Sequence, residues 1–229
     1  MKKHLTMLMA PLLVVGLHGC IETNVGSPTE PDFTIPGSGP LVTQSRPVSG
    51  FDSVLLSVPG ELVLEPTGSE SLTITAEASL IDKLTSEVTG GRLVLGTRSG
   101  VDIAPRQPIL YRLTVRSIDD LVVSGAARVD ASGLQGDRFS FTLSGAGEIS
   151  ISGNVDHQTL TISGAGHYNA ANLRSRVASI TLSGAGHATI RAAQRIDGVV
   201  SGAGILEYYG DPEIAVSVSG SGTIRQVGG

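Results

Sequence analysis

Apolar and polar residues alternate in short stretches through residues 121–226, and this period of two is typical of β-strands with one buried face. A four-residue phrase, Ser-Gly-Ala-Gly or a close variant, recurs six times, and its serines are 20, 19, 20, 18 and 18 residues apart. The serine and first glycine of the six phrases are Ser124, Gly125, Ser144, Gly145, Ser163, Gly164, Ser183, Gly184, Ser201, Gly202, Ser219 and Gly220. A repeat of about 19 residues predicts a solenoid in which each repeat forms one coil.

Three sets of mainly apolar residues keep the same parity relative to these serines, so they are expected to face one core. They lie three residues before each serine, one before it and five after it; the set just before it is Val123, Leu143, Ile162, Leu182, Val200 and Val218. Neighbouring coils must then run parallel and in register, about 4.8 Å apart. The glycine after each serine falls on the inward parity, which predicts a narrow section where backbone lies against backbone; the alternative is a bend that uses positive φ. The serines are expected to form an outward hydroxyl ladder.

The segment before the repeats predicts further strands with looser spacing, over residues 54–58, 61–64, 72–76 and 92–95. One helical turn is predicted over residues 79–84, with Ser79 as its cap. We expect these elements to continue the solenoid or to cover its end, because a bare final coil would offer unpaired backbone to other chains.

The first 20 residues are typical of an export signal, with a positive start at Lys2 and Lys3 and an apolar run from Leu5 to Leu17. The closing Leu17-His18-Gly19-Cys20 resembles the lipobox of bacterial lipoproteins. That resemblance implies cleavage after Gly19 and a diacylglyceryl group on Cys20, the only cysteine of the chain. By the enterobacterial sorting rule, Ile21 in place of Asp directs the protein to the outer membrane of a Gram-negative bacterium. The alternative is an ordinary secretory leader with an incidental cysteine.

These features divide the chain into a signal peptide (1–19), a lipidated tether (20–47) and a β-solenoid domain (48–229) with regular repeats over 121–226. The tether contains five prolines among Gly, Ser and Thr and shows no apolar period, so it is predicted to be extended.

The composition limits both the core and the partners. With 30 Gly, no Trp, four Phe and four Tyr, the core must be thin and aliphatic. A net charge of -5 leaves no basic footprint for nucleic acid. One cysteine excludes an internal disulfide framework.

The position four residues after the serine carries Glu148, His167 and His187 in successive repeats, where the parity is outward. Two imidazoles and a carboxylate at steps of about 5 Å could hold a zinc ion, and the alternative is a solvated polar ladder. A catalytic serine needs one particular partner residue, whereas the repeats contain six equivalent serines, and the Gly-x-Ser-x-Gly motif is absent. No catalytic residue and no cofactor are therefore assigned. The turns place Arg174, Arg176 and Tyr209 as candidate surface contacts, while Tyr208 is expected to pack into the end of the core.

The recurring phrase, the opening Phe51-Asp52-Ser53-Val54 and the segment Gly91-Arg92-Leu93-Val94-Leu95 resemble the head GIN domain family, known as "putative autotransporter adhesins", over about residues 48–226. The resemblance implies a single-stranded, right-handed parallel β-helix and defines no catalytic residues to carry over.

We therefore expect a non-enzymatic envelope lipoprotein, held to the membrane by its lipid, whose rigid faces contact a surface glycan, a partner protein or further copies of itself. Two alternatives stay open: a polysaccharide-active enzyme on a β-helix, and a purely structural envelope protein. A glycan array separates them, because the first hypothesis predicts binding without turnover, the second predicts product release and the third predicts neither.

Overall fold

The computed structural model describes residues 33–228, and these residues form β-strands with one 3-10 turn, which confirms the predicted all-β class. The strands are β1 Phe33–Pro36, β2 Leu41–Arg46, β3 Ser53–Leu56, β4 Gly60–Pro66, β5 Ser71–Glu77, β6 Leu84–Thr89, β7 Arg92–Thr97, β8 Val101–Ala104, β9 Leu110–Val115, β10 Asp120–Gly164, β11 His167–Gly184, β12 His187–Gly202, β13 Ile205–Tyr209, β14 Glu213–Gly220 and β15 Thr223–Gly228. The 3-10 turn is Ile81–Lys83. Within residues 33–228, no helix is long and apolar enough to cross a membrane.

The strands of the repeat region are too long to be straight. β10 has 45 residues and would measure about 150 Å if it were fully extended. Instead it winds past itself: a Cβ built on Gly164 would lie 2.1 Å from the carbonyl oxygen of Gly145, which belongs to the same strand. The repeats are therefore laid side by side by bends within continuous extended chain.

Adjacent repeats pair in parallel with like positions opposed. Ser163 pairs with Ser183, Ser183 with Ser201, and Ser201 with Ser219. The predicted alignment of the phrases is thus confirmed for these four repeats. Along the row of serines, the Ser201 hydroxyl donates a hydrogen bond to Ser183 Oγ at 3.3 Å.

The first glycine meets two constraints at once in five of the six phrases. Gly184 has a φ of +117°, a backbone angle that residues with a side chain rarely adopt. A Cβ at this position would lie 2.5 Å from the Gly164 carbonyl oxygen of the preceding repeat. Gly125 begins the row with a similar φ of +116° but has no atom within 4 Å of the same position. The predicted close approach of backbones is confirmed, and the positive φ accompanies it.

The core is narrow and mainly aliphatic, as the composition predicts, with a small aromatic centre. Phe141 and Tyr168 are both buried, and their rings stack with centroids 5.2 Å apart. The buried Gln158 amide donates a hydrogen bond to the Tyr168 hydroxyl at 2.7 Å. Burial of Tyr168 raises the pKa of its phenol well above the usual range. In the last repeat the inward positions are less well buried, and Val218 is 43% exposed.

The N-terminal strands do not simply continue the parallel winding. β3 and β4 pair in parallel with β10, but β5 pairs antiparallel with β2 and β9, and β6 pairs antiparallel with β7. The 13-stranded sheet is therefore mixed. The two-residue turn Gly90-Gly91 returns the chain directly beside β6, and this connection makes the pairing of β6 with β7 antiparallel.

Two details differ from the sequence predictions. β1 and β2 lie in the range assigned to the tether, and β2 joins the sheet through antiparallel pairing of its backbone with β5. The 3-10 turn begins after Leu80 without a side-chain cap; the Ser79 hydroxyl instead bonds to the Pro36 carbonyl and the Ser38 amide. The predicted signal peptide, Cys20 and the first part of the tether lie outside the described residues.

Candidate functional site

Outward residues of adjacent repeats form columns on the surface, because parallel in-register pairing brings like positions together. The first, here called the histidine column, contains Glu148, His167 and His187, which pair in that order. The two imidazole rings lie 5.5 Å apart, and the three residues border a pocket of about 540 Å³. The sequence prediction that these residues share one face is confirmed.

The described contacts of the histidine column do not include a grouping of three metal ligands, and zinc binding there stays a prediction. Glu148 pairs with the Arg128 guanidinium, and His187 Nε2 lies 3.1 Å from Glu207 Oε2. Within the described range, no three His, Cys, Asp or Glu side chains are grouped so that they could hold one metal ion. Glu148 and His187 each lie instead against an oppositely charged or ionisable side chain of a neighbouring repeat.

A carboxylate that the sequence prediction missed lies beside this column. Glu207 accepts a hydrogen bond from Arg225 Nε at 2.9 Å and one from the Thr189 hydroxyl at 3.3 Å. The Arg225 guanidinium lowers the pKa of the Glu207 carboxyl, and His187 adds to this effect. The signal was present in the sequence, because Thr189, Glu207 and Arg225 all lie six residues after a repeat serine.

A second set of outward residues, here called the arginine column, lies at a corner of the repeats. It contains Asn154, Arg174, Arg191 and Tyr209, and each pairs with the next in the register of the strands. The Arg191 guanidinium lies over the Tyr209 ring, 4.8 Å from its centroid, and Arg191 Nε donates a hydrogen bond to the Ala171 carbonyl at 2.9 Å. Tyr208 packs against the core, as expected from the sequence.

The structure brings together two of the three contact residues predicted at the turns. Arg174 and Tyr209 belong to the arginine column, whereas Arg176 lies outside it with its Nε 3.8 Å from Asp156 Oδ1. Arg191, which lies between Arg174 and Tyr209, was missed. Arg174 follows its repeat serine by 11 residues and Arg191 follows its own by eight, so a fixed spacing does not align them.

A shallow pocket of about 390 Å³ lies at this corner, and its lining is polar. Arg174 and Arg191 supply two guanidinium groups, and Gln135, Asn154 and Asn172 supply amides. Amides both donate and accept hydrogen bonds, and arginine only donates. The pocket is therefore suited to a ligand that carries oxygen acceptors.

The described residues thus define an all-β protein whose repeats carry outward columns of polar side chains. A family model described as "Putative auto-transporter adhesin, head GIN domain" matches residues 50–212. The chain belongs to this family.

Solved structures share the fold at low sequence identity. One described as a putative adhesin from Bacteroides fragilis NCTC 9343 has a TM-score of 0.65 and 21% identity, and the match covers 84% of this chain and 100% of that one. Another, described as a putative lipid binding protein from Parabacteroides distasonis ATCC 8503, has a TM-score of 0.53 and 21% identity over 85% of this chain and 99% of that one. No curated protein sequence matches the chain.

Proposed function

We propose that the protein is a non-enzymatic cell-envelope lipoprotein, anchored through Cys20 in the outer membrane, that binds a surface glycan or protein on its outward columns. The observation that carries the proposal is the arrangement of adjacent repeats, in which parallel in-register pairs fix polar side chains at a regular spacing. Membership of a family described as adhesins supports it.

The fold proposed for the repeats is the single-stranded, right-handed parallel β-helix implied by the family resemblance, with coils of about 19 residues. Three facts support it: the strands of the repeat region pair in parallel, β10 bends back beside itself, and the inward positions of successive repeats are buried. Such a scaffold presents its surface without rearrangement, so binding costs little conformational entropy. Rigidity of this kind suits a protein that recognises and does not turn over its ligand.

The anchor can be tested independently of binding. Labelling cells with a radioactive fatty acid should mark the wild-type protein and leave Cys20→Ser unmarked, because the thiol is the predicted acylation point. Membrane fractionation should then recover the wild type with the outer membrane. Label on the serine variant, or wild type in the soluble periplasmic fraction, would refute the lipoprotein assignment.

The binding function calls for a glycan array with the purified full-length chain, read for both retention and released product. We expect retention on a restricted set of glycans and no product. Released oligosaccharide would support the alternative of a polysaccharide-active enzyme. Retention only on vesicles of phospholipid would instead extend to this chain the lipid binding for which one solved structure is named.

A further inference from the structure

We propose that the arginine column binds an acidic sugar, with the oxyanion of the sugar held between the guanidinium groups of Arg174 and Arg191. This inference rests on the proposed binding function and names the ligand class and the site. Nothing in the family description specifies either.

The first argument is electrostatic. Arg174 and Arg191 are directly paired on adjacent strands, and like charges in that position destabilise a sheet. The ion pairs found within residues 33–228 involve six other arginines, and neither Arg174 nor Arg191 has an acidic partner there. The repulsion is relieved when an anion lies between the two groups.

The second argument is preorganisation. The Nε bond to Ala171 and the contact with Tyr209 hold the Arg191 guanidinium in place, and the Ser175 hydroxyl holds its backbone by a 2.7 Å bond to the Arg191 carbonyl. Both Nη groups of Arg191 lack a hydrogen-bond partner among the described residues, so they can still donate. A fixed guanidinium loses little entropy when it forms paired bonds to an oxyanion.

The third argument is the rest of the pocket. No carboxylate lines it among the described residues, so an anion meets no like charge there. The amides of Gln135, Asn154 and Asn172 match the hydroxyls of a sugar, which also donate and accept. A volume of about 390 Å³ suits a group of the size of a sugar residue.

The test measures binding of the purified full-length chain to oligogalacturonate, to its methyl ester and to a heparin oligosaccharide. Oligogalacturonate carries carboxylates, the ester is uncharged and heparin adds sulfates. We expect wild type to bind at least one of the two anionic probes and to bind the ester about tenfold more weakly or worse, because bonds to a charged acceptor are the stronger ones. The tighter anionic probe identifies the oxyanion.

Arg174→Gln and Arg191→Gln should each weaken binding about tenfold or more, since each removes one charge-assisted contact. Arg112→Gln is the control, because Arg112 is exposed on β9, has no ion pair among the described residues and lies outside the pocket. Arg174→Gln should also be at least as stable as wild type in thermal unfolding, because it removes one of two repelling charges.

Several results would overturn the inference. Equal binding of ester and acid, or variants at Arg174 and Arg191 that bind like Arg112→Gln, would exclude the arginine column while leaving a glycan-binding function intact. Retention of no glycan or protein at all would refute the proposed function as well. A marked loss of stability in Arg174→Gln would show that the two charges are already compensated within the fold.

Discussion

The close approach of repeats at the Gly184 position can be tested by adding one methyl group. A Cβ there would lie 2.5 Å from the carbonyl oxygen of Gly164 and 3.2 Å from its nitrogen, and both are backbone atoms that cannot rotate away. Gly125 provides a matched control, because its φ of +116° is almost the same as the +117° of Gly184 and its Cβ position is open. Gly125→Ala therefore measures the conformational cost alone.

The two variants separate two costs that add in Gly184→Ala. Holding a residue with a Cβ in this part of φ/ψ space costs about 1–3 kcal/mol. Forcing a methyl group against fixed atoms adds about 1–3 kcal/mol, by analogy with overpacked cores. We expect Gly125→Ala to lose only the first amount and Gly184→Ala to lose about 2–6 kcal/mol in all, which is a large share of the stability of an ordinary domain.

The assay is urea unfolding monitored by far-UV circular dichroism. The free energies of unfolding of the two variants and wild type are compared provided that their m-values agree. Equal losses of the free energy of unfolding in the two variants would refute the reasoning, because they would mean that the Gly164 backbone does not limit the space at Gly184. A larger loss for Gly125→Ala would refute it more strongly.

Three further outcomes follow from the buried and paired side chains. Arg225 lowers the folded-state pKa of Glu207, so the Glu207 carboxylate contributes its full stabilisation above the pKa of the unfolded chain, about 4.3, and loses it as the pH falls through the lower folded value. Glu207→Gln should therefore flatten the decline of Tm below about pH 4.5, and an unchanged slope would contradict this. Burial raises the pKa of Tyr168, so the folded state keeps a proton that the unfolded chain releases, and the free energy of unfolding should fall by about 1.4 kcal/mol per pH unit above about pH 10. Tyr168→Phe should remove this part of the fall, which urea unfolding at pH values from about 9 to 11 can measure. Phe141→Ala should cost about 3–5 kcal/mol, since the ring is fully buried and stacks on Tyr168; the outward Thr159→Ala serves as control, and similar losses in both would contradict the burial.

The register of the repeats could be predicted because their positions carry redundant information. Leu182 must lie inward in its own repeat, and it pairs with Ile162 and Val200, which obey the same rule. A slip of one residue would expose every inward side chain at once, so the period of the apolar positions determines the pairing. The period also predicted that Glu148, His167 and His187 share a face.

The N-terminal strands could be recognised from the sequence but not their partners. Leu72-Thr73-Ile74 alternates like any half-buried strand, and alternation says nothing about whether the neighbour is parallel or antiparallel. β2 was assigned to the tether for a related reason, because prolines lie on either side of it and are frequent in the segment 20–47. Its antiparallel pairing with β5 is a long-range contact that no local pattern records.

The corner that holds Arg174 and Arg191 could not be predicted because the repeats differ in length there. Arg174 comes five positions after Asn169, whereas Arg191 comes two positions after Thr189, the partner of Asn169. The strand register therefore shifts between the two pairs. The extra residues bulge at the corner and leave the flanking rows aligned. Side chains that are distant by counting from the serine are thereby brought into one column.

The charge balance of the two columns decides which of them is expected to bind. The two carboxylates in and beside the histidine column have partners within the fold: Glu148 has Arg128, and Glu207 has Arg225 and His187. A ligand there would have to replace contacts that already exist, and exchange of this kind yields little free energy. In the arginine column, Arg174 and Arg191 are paired in the strand register and have no acidic partner among the described residues. We therefore expect an oxyanion to gain more free energy of binding here than at the histidine column, because it adds contacts and offsets a repulsion between like charges.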